Sequence, residues 1–110
     1  MGAERRQHNR AQVDWPARIG TRGLGVFPAR IKDASIGGVY LLTTLAVAEG
    51  DNVLVELPIP APGGEKLVLT HAKVSRKVTV QDDKVFGYGV QFLKLDDDVL
   101  MHLLTVCAQS

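Results

Sequence analysis

The chain has 110 residues, 45% of them hydrophobic and 23% charged, with a net charge of +1. That is the length of one domain, too short to split into two halves that each bury a core, and too apolar to be disordered throughout. A single cysteine, Cys107, excludes a disulfide scaffold and suits a reducing compartment. No apolar stretch reaches the roughly 20 residues of a spanning helix. Residues 1–6 carry charge with no apolar segment behind them. Neither membrane insertion nor a secretory signal is therefore expected, and the expected setting is cytoplasmic.

The near-neutral charge hides an asymmetry. Residues 1–32 hold seven Lys/Arg against two acidic residues, a net +5, whereas residues 33–110 hold six against ten, a net −4. A pI near 7.9 is too low for a generic nucleic-acid domain. One end is nevertheless built to meet negative charge, which points to a small, localised anion and not to a long duplex.

In chain order, residues 1–12 are polar and lack periodicity, which predicts a flexible basic arm ahead of a single domain over 13–110. Residues 13–19 read as a strand in which Pro16 marks an edge or a bulge. A Gly-rich turn over 20–25 leads to a strand over 26–32, a second polar turn over 33–38 and a short strand over 39–44. A turn over 49–52 precedes a strand over 53–57. Three prolines and two glycines predict a loop over 58–64. Residues 66–80 are a long β run in which Val68, Thr70, Ala72 and Val74 alternate with Leu69, His71, Lys73 and Ser75. After a turn over 81–84, Phe86, Tyr88, Val90 and Phe92 alternate with Gly87, Gly89 and Gln91, and the glycines suggest a bend or bulge.

Only the last segment, about 96–107, has helical spacing. Asp96, Asp97 and Asp98 supply an N-cap and negative charge at the positive end of the dipole. Leu95, Val99, Leu103 and Val106 form the apolar stripe, widened by Leu100 and Cys107. About six short strands and one terminal helix predict a mainly β protein, a small antiparallel barrel or sandwich with a helix docked against it.

Two motifs could carry chemistry. In Glu4-Arg5-Arg6-Gln7-His8-Asn9-Arg10, each guanidinium offers a planar fork of donors suited to phosphate oxygens or to the O6 and N7 edge of guanine. The plain alternative is a solvated basic tail. In Asp33-Ala34-Ser35-Ile36-Gly37-Gly38, Asp33 can accept from the N1–H and N2–H₂ of a guanine and Ser35 can donate or accept. Gly37 and Gly38 there permit positive φ and close approach of a ligand to the backbone. The plain alternative is a tight strand connection whose side chains bond their own backbone.

Together the motifs resemble a known family. Arg6-x-x-x-Arg10, led in by Glu4-Arg5, is similar to the RxxxR motif of PilZ domains, and Asp33-x-Ser35-x-x-Gly38 to their [D/N]xSxxG motif. Gly87-Tyr88-Gly89-Val90-Gln91-Phe92 resembles the glycine–aromatic pattern of their last barrel strand. The resemblance implies a six-stranded antiparallel β-barrel with a C-terminal helix and a flexible N-terminal arm, binding the second messenger cyclic di-GMP. It implies that Arg6 and Arg10 hold phosphates and guanine edges, that Asp33 and Ser35 contact a guanine, and that Gly37 and Gly38 let the turn close on the ligand. An Arg just before RxxxR, as Arg5 is here, implies an intercalated pair of nucleotides. Output would pass to a separate, unidentified partner protein as the arm orders.

Two other readings stay open. One is a PilZ-like protein–protein interaction module of motility or pilus assembly that binds no nucleotide. The other is a small barrel that binds single-stranded nucleic acid through its arm. His8, His71, His102 and Cys107 lack metal-site spacing, and Gly63-Gly64-Glu65-Lys66 departs from a phosphate-binding loop. Neither an enzyme nor a resident metal or cofactor is expected. Trp15 reads as an anchor at the core or barrel rim.

Overall fold

The computed structural model describes residues 10–82 and 84–109. Six strands, β1 (Ala11–Thr21), β2 (Gly25–Ala34), β3 (Gly38–Thr43), β4 (Asn52–Ala61), β5 (Gly64–Gln81) and β6 (Val85–Phe92), precede one helix, α1 (Asp97–Ala108). Every strand pairing is antiparallel, and the order β1-β2-β3-β6-β5-β4 closes on itself as a barrel. Strand count and turn spacing leave a barrel or a sandwich open; the closed barrel with a C-terminal helix is the form that the family resemblance implies.

Alternation puts one apolar set inside. Ile19, Ile31, Leu41, Val55, Val74 and Tyr88 are fully buried, and α1 adds Val99 and Leu103 to the same core. Leu95 packs against that core, whereas Leu100 and Val106 are only half-buried. The helix therefore presents Val99, Leu103 and Cys107, spaced four apart, as its buried line. Asp96 occupies the N-cap position in extended geometry, but its side chain makes no capping bond. The acidic contribution to the helix start is thus that of Asp97 and Asp98 in the first turn. Trp15 reaches α1 from β1, its ring 5.5 Å from that of His102, as a rim anchor would.

The strands are longer than their turn residues suggest. Residues 58–61 continue β4 and do not form a loop; only residues 62 and 63 turn. The seam between β1 and β4 explains why prolines are tolerated there. It holds three pairs, Arg18↔Glu56, Ile19↔Val55 and Gly20↔Leu54. Beyond Glu56, β4 pairs with β5 alone, so Pro58 and Pro60 lie where a strand has a free side and a missing N–H costs no ladder bond. Pro16 likewise lies outside the paired part of the β1–β4 seam, and the β1–β2 register shifts just before it, between Gln12 and Trp15.

Two side chains carry testable weight. The Tyr88 hydroxyl, fully buried, donates to the Leu45 carbonyl at 2.7 Å and accepts from the Val47 N–H at 2.9 Å. It pins the β3–β4 connection over the core. Tyr88→Phe strands both backbone groups and is expected to cost about 1–3 kcal/mol, seen as a lower urea midpoint at unchanged slope. For His102, burial pushes the pKa below its ordinary 6.5, opposed in part by the Glu65 charge. The unfolded chain therefore takes up this proton at higher pH than the folded one. Stability is intact above the unfolded value and falls as the pH drops below it toward the lower folded value. His102→Gln should flatten that part of a stability–pH curve.

Candidate functional site

The register of β1 on β2 builds the site. Ala11 pairs with Ala34, which sets Arg10, one residue before the ladder, beside the residue after Ala34. Arg10 Nε donates to Asp33 Oδ1 at 2.9 Å, Nη2 donates to the same oxygen, and Nη1 donates to Ser35 Oγ at 3.2 Å. The arginine and acidic motifs, 23 residues apart in sequence, meet in one network. Arg5 and Arg6 lie outside the described residues, so the ladder shows that β1 starts at Ala11 and Arg10 adjoins it, two residues ahead of the strand start read from the sequence.

The β2–β3 turn is held by its own atoms and by β6. Ser35 N–H donates to the Gly38 carbonyl at 2.9 Å, and Gly37 N–H donates to Ser35 Oγ at 3.1 Å. The Ser35 hydroxyl donates to the Gly38 carbonyl at 3.3 Å, and Phe92 N–H donates to the Gly37 carbonyl at 2.9 Å. Neither Gly37 nor Gly38 has a positive φ; among the described residues the glycines that do are Gly23, Gly25, Gly50, Gly63 and Gly64. The reason for Gly38 is a close approach. A Cβ there would lie 2.0 Å from the Val90 carbonyl oxygen, so it is the protein's own β6 that needs the space.

These residues floor and flank a hollow of about 590 Å³. Arg10, Asp33, Ser35, Gly37 and Gly38 line one side. The other is made by Tyr40 of β3, Ser75 and Arg76 of β5, and Gly89, Val90 and Gln91 of β6. Tyr40 and Arg76 both pair with Gly89, one on each neighbouring strand, and the Arg76 guanidinium carbon lies 6.0 Å from the Tyr40 ring centre. Tyr40 is seated over Gly87, where a Cβ would meet its Oη at 2.0 Å. Sequence reasoning missed Tyr40, Ser75, Arg76 and Gln91. The signal was the pair of glycines in β6, which marks bulk on a neighbouring strand, but which residue supplies it depends on register.

Among the described residues, most of the basic side chains near the N-terminus face a carboxylate. Arg10 pairs with Asp33, Arg18 with Glu56, and Arg30 and Lys32 with Asp14. Hydrogen bonds from Arg30 and then Lys32 hold the Asp14 carboxyl down to about 2. Among the described residues, the positive charge left for a ligand is therefore smaller than composition suggests. A larger hollow of about 770 Å³, bordered by Arg18, Arg22, Val26, Leu54, Leu69 and Leu93, holds none of the expected residues. Cys107 is buried, with its thiol against the Ala34 carbonyl, in keeping with a packing role.

Comparison with known proteins gives the family and the fold. The PilZ domain family model matches residues 4–109, and the chain belongs to that family. PilZ domains are ligand-binding and adaptor modules. Among solved structures, the Bacillus subtilis inhibitor of motility (MotI/DgrA) has a TM-score of 0.78 at 17% identity, over 96% of this chain and 50% of that one. The chain thus spans half the length of that protein. The PilZ domain of Escherichia coli YcgR with c-di-GMP has a TM-score of 0.68 at 18% identity, over 96% and 90%. Escherichia coli YcgR in complex with c-di-GMP has a TM-score of 0.64 at 18% identity, over 96% and 45%. No curated protein matches the sequence. Among the described residues, no helix is long and apolar enough to cross a membrane.

The contact between the turn and β6 is open to test. Gly38→Ala has to displace the β6 backbone and is expected to cost about 1–3 kcal/mol, read as a lower midpoint of thermal or urea unfolding.

Proposed function

We propose that this protein is a cyclic di-GMP receptor and adaptor whose site is the hollow between the Arg10 network and the wall of Tyr40 and Arg76. The observation that carries the reading is the Arg10 guanidinium, held at the edge of that hollow by Asp33 and Ser35. A guanidinium has five N–H donors, and three are used here, so two remain in a fixed plane for a phosphate oxygen or the O6 and N7 edge of guanine. Asp33 keeps Oδ2 for a base amine. Family membership and the c-di-GMP complexes of similar fold support the choice of ligand.

Arg6 lies four residues before Arg10 and Arg5 five. With their charge they would close over a ligand that carries two phosphates and two guanines. Fixing the segment costs roughly 1–2 kcal/mol of backbone entropy per residue, which charge-assisted bonds and stacking offset. The part of the arm ahead of Arg10, drawn onto the barrel, would then present a different surface to a partner protein. The function is binding and relay, without catalysis, in the cytoplasm.

Isothermal titration of cyclic di-GMP, with GMP and GTP as controls, tests this. Saturable, selective binding is expected, with a stoichiometry of two per site if Arg5 supports an intercalated pair. Arg6→Ala and Arg10→Ala should each weaken binding about tenfold or more with an unchanged circular dichroism spectrum. No binding by the unaltered protein would leave the reading as a protein–protein module of motility or pilus assembly.

A further inference from the structure

One outer face of the barrel is left open to solvent. On β5 the odd-numbered positions from Glu65 to Lys73 point outward, because Thr70, Ala72 and Val74 between and beyond them are buried. The outward row reads Glu65, Leu67, Leu69, His71, Lys73, and none of these residues lines the Arg10 hollow. Leu67 and Leu69 are 59% and 60% exposed. Leu93, 57% exposed, lies beside the row, its N–H donating to the His71 carbonyl at 2.9 Å. On the other side β4 sets Leu54 against His71 and Pro58 against Leu67. Glu56, opposite Leu69, is paired with Arg18 at 2.6 Å. Leu54, Leu69, His71 and Leu93 border the larger hollow together. Apolar side chains grouped in this way on an exposed face mark an interaction surface.

The charges of the row select the occupant. Glu65 and Lys73 stand on either side of Leu69, at equal separation and with opposite sign. Among the described residues neither makes an ion pair or a side-chain hydrogen bond. We propose that this face is covered by a second copy of the chain, in a two-fold dimer whose axis passes at Leu69. A two-fold interface has to be self-complementary, and the row is. Turning β5 end for end about Leu69 sets Glu65 against Lys73 of the partner subunit and Lys73 against Glu65 of the partner subunit. Leu69 meets its own copy, and Leu67 of the partner subunit comes over His71, at the hollow that Leu54 and Leu93 border. At roughly 3.3 Å per residue the charged pairs lie about 13 Å from the axis, where they form a polar rim around an apolar centre. A copy laid the same way round would set Glu65 on Glu65 and Lys73 on Lys73, so charge fixes the antiparallel register. The dimer does not depend on the nucleotide.

Sedimentation equilibrium of the full chain, without nucleotide, tests it. The unaltered protein is expected to pass from monomer to a species of twice 11.9 kDa as its concentration is raised. Leu69→Glu puts two like charges at the axis and should raise the dimer dissociation constant about tenfold or more. Lys73→Glu and Glu65→Lys should each raise it about tenfold, because one change acts at both ends of the dimer. The two changes in one chain, or an equimolar mixture of the two single variants, should regain the dimer. Val80→Glu, at an exposed position near the β5–β6 turn and outside this face, should leave the dimer unchanged.

An unaltered protein that stays monomeric at every concentration would overturn the inference and leave the face to a different protein. A dimer that survives Leu69→Glu would overturn it too, by placing the contact elsewhere. So would charge reversals whose losses add in the double variant where they are expected to cancel. Every substituted position is exposed, and an unchanged circular dichroism spectrum checks that each variant is folded. Should Leu69→Glu fail to fold, Leu67→Lys takes its place. Nucleotide titration has no bearing on these outcomes, so failure of the binding reading and failure of the dimer are read separately.

Discussion

Three strands and the end of a fourth are tied at one buried hydroxyl. Ser35 Oγ joins Arg10, at the entrance to β1, to the Gly37 and Gly38 backbone between β2 and β3, and Gly37 is tied in turn to β6 through Phe92. The knot is possible because residue 38 has no side chain and can lie against the Val90 carbonyl. A Cβ at that residue would lie 2.0 Å from the Val90 carbonyl oxygen, so β6 or the turn that seats Arg10 would have to shift. The geometry of the site is therefore a consequence of barrel closure and needs no dedicated loop.

Closure also shapes the electrostatics. Bringing strands side by side places Arg18 opposite Glu56 and Arg30 and Lys32 near Asp14, so most of the described basic residues near the N-terminus face a carboxylate. Such exposed pairs add little stability, but they cancel a diffuse positive field. Arg10 keeps two N–H donors at the hollow, and Arg76 faces the same hollow next to an aromatic ring. A compact dianion with flat bases suits that distribution better than an extended polyanion, which needs a continuous stripe of charge.

Much of this was legible in the sequence because period-2 alternation and glycine-marked turns report local geometry directly. The strands around Ile19, Ile31, Leu41, Val55, Val74 and Tyr88, the terminal helix, and the convergence of Arg10 with Asp33 and Ser35 all came from such signals or from motif resemblance. What was missed depended on pairing. The prolines at 58 and 60 read as a loop because nothing local says that β4 has a free side there. Gly38 suggested a left-handed conformation because its crowding by Val90 arises from a strand more than 50 residues away. Tyr40 and Arg76 escaped notice for the same reason: both meet at Gly89 only after the register of β3, β6 and β5 is known.

The most direct test of where the ligand binds is an NMR titration that follows backbone amides together with the Arg10 Nε–H. On addition of cyclic di-GMP, the account predicts that the Arg10 Nε–H and the amides of Gly37, Tyr40, Arg76 and Gly89 shift together, while those of Arg22, Leu54 and Leu69 around the larger hollow stay in place. Shifts confined to the larger hollow, with the Arg10 signal unmoved, would contradict it.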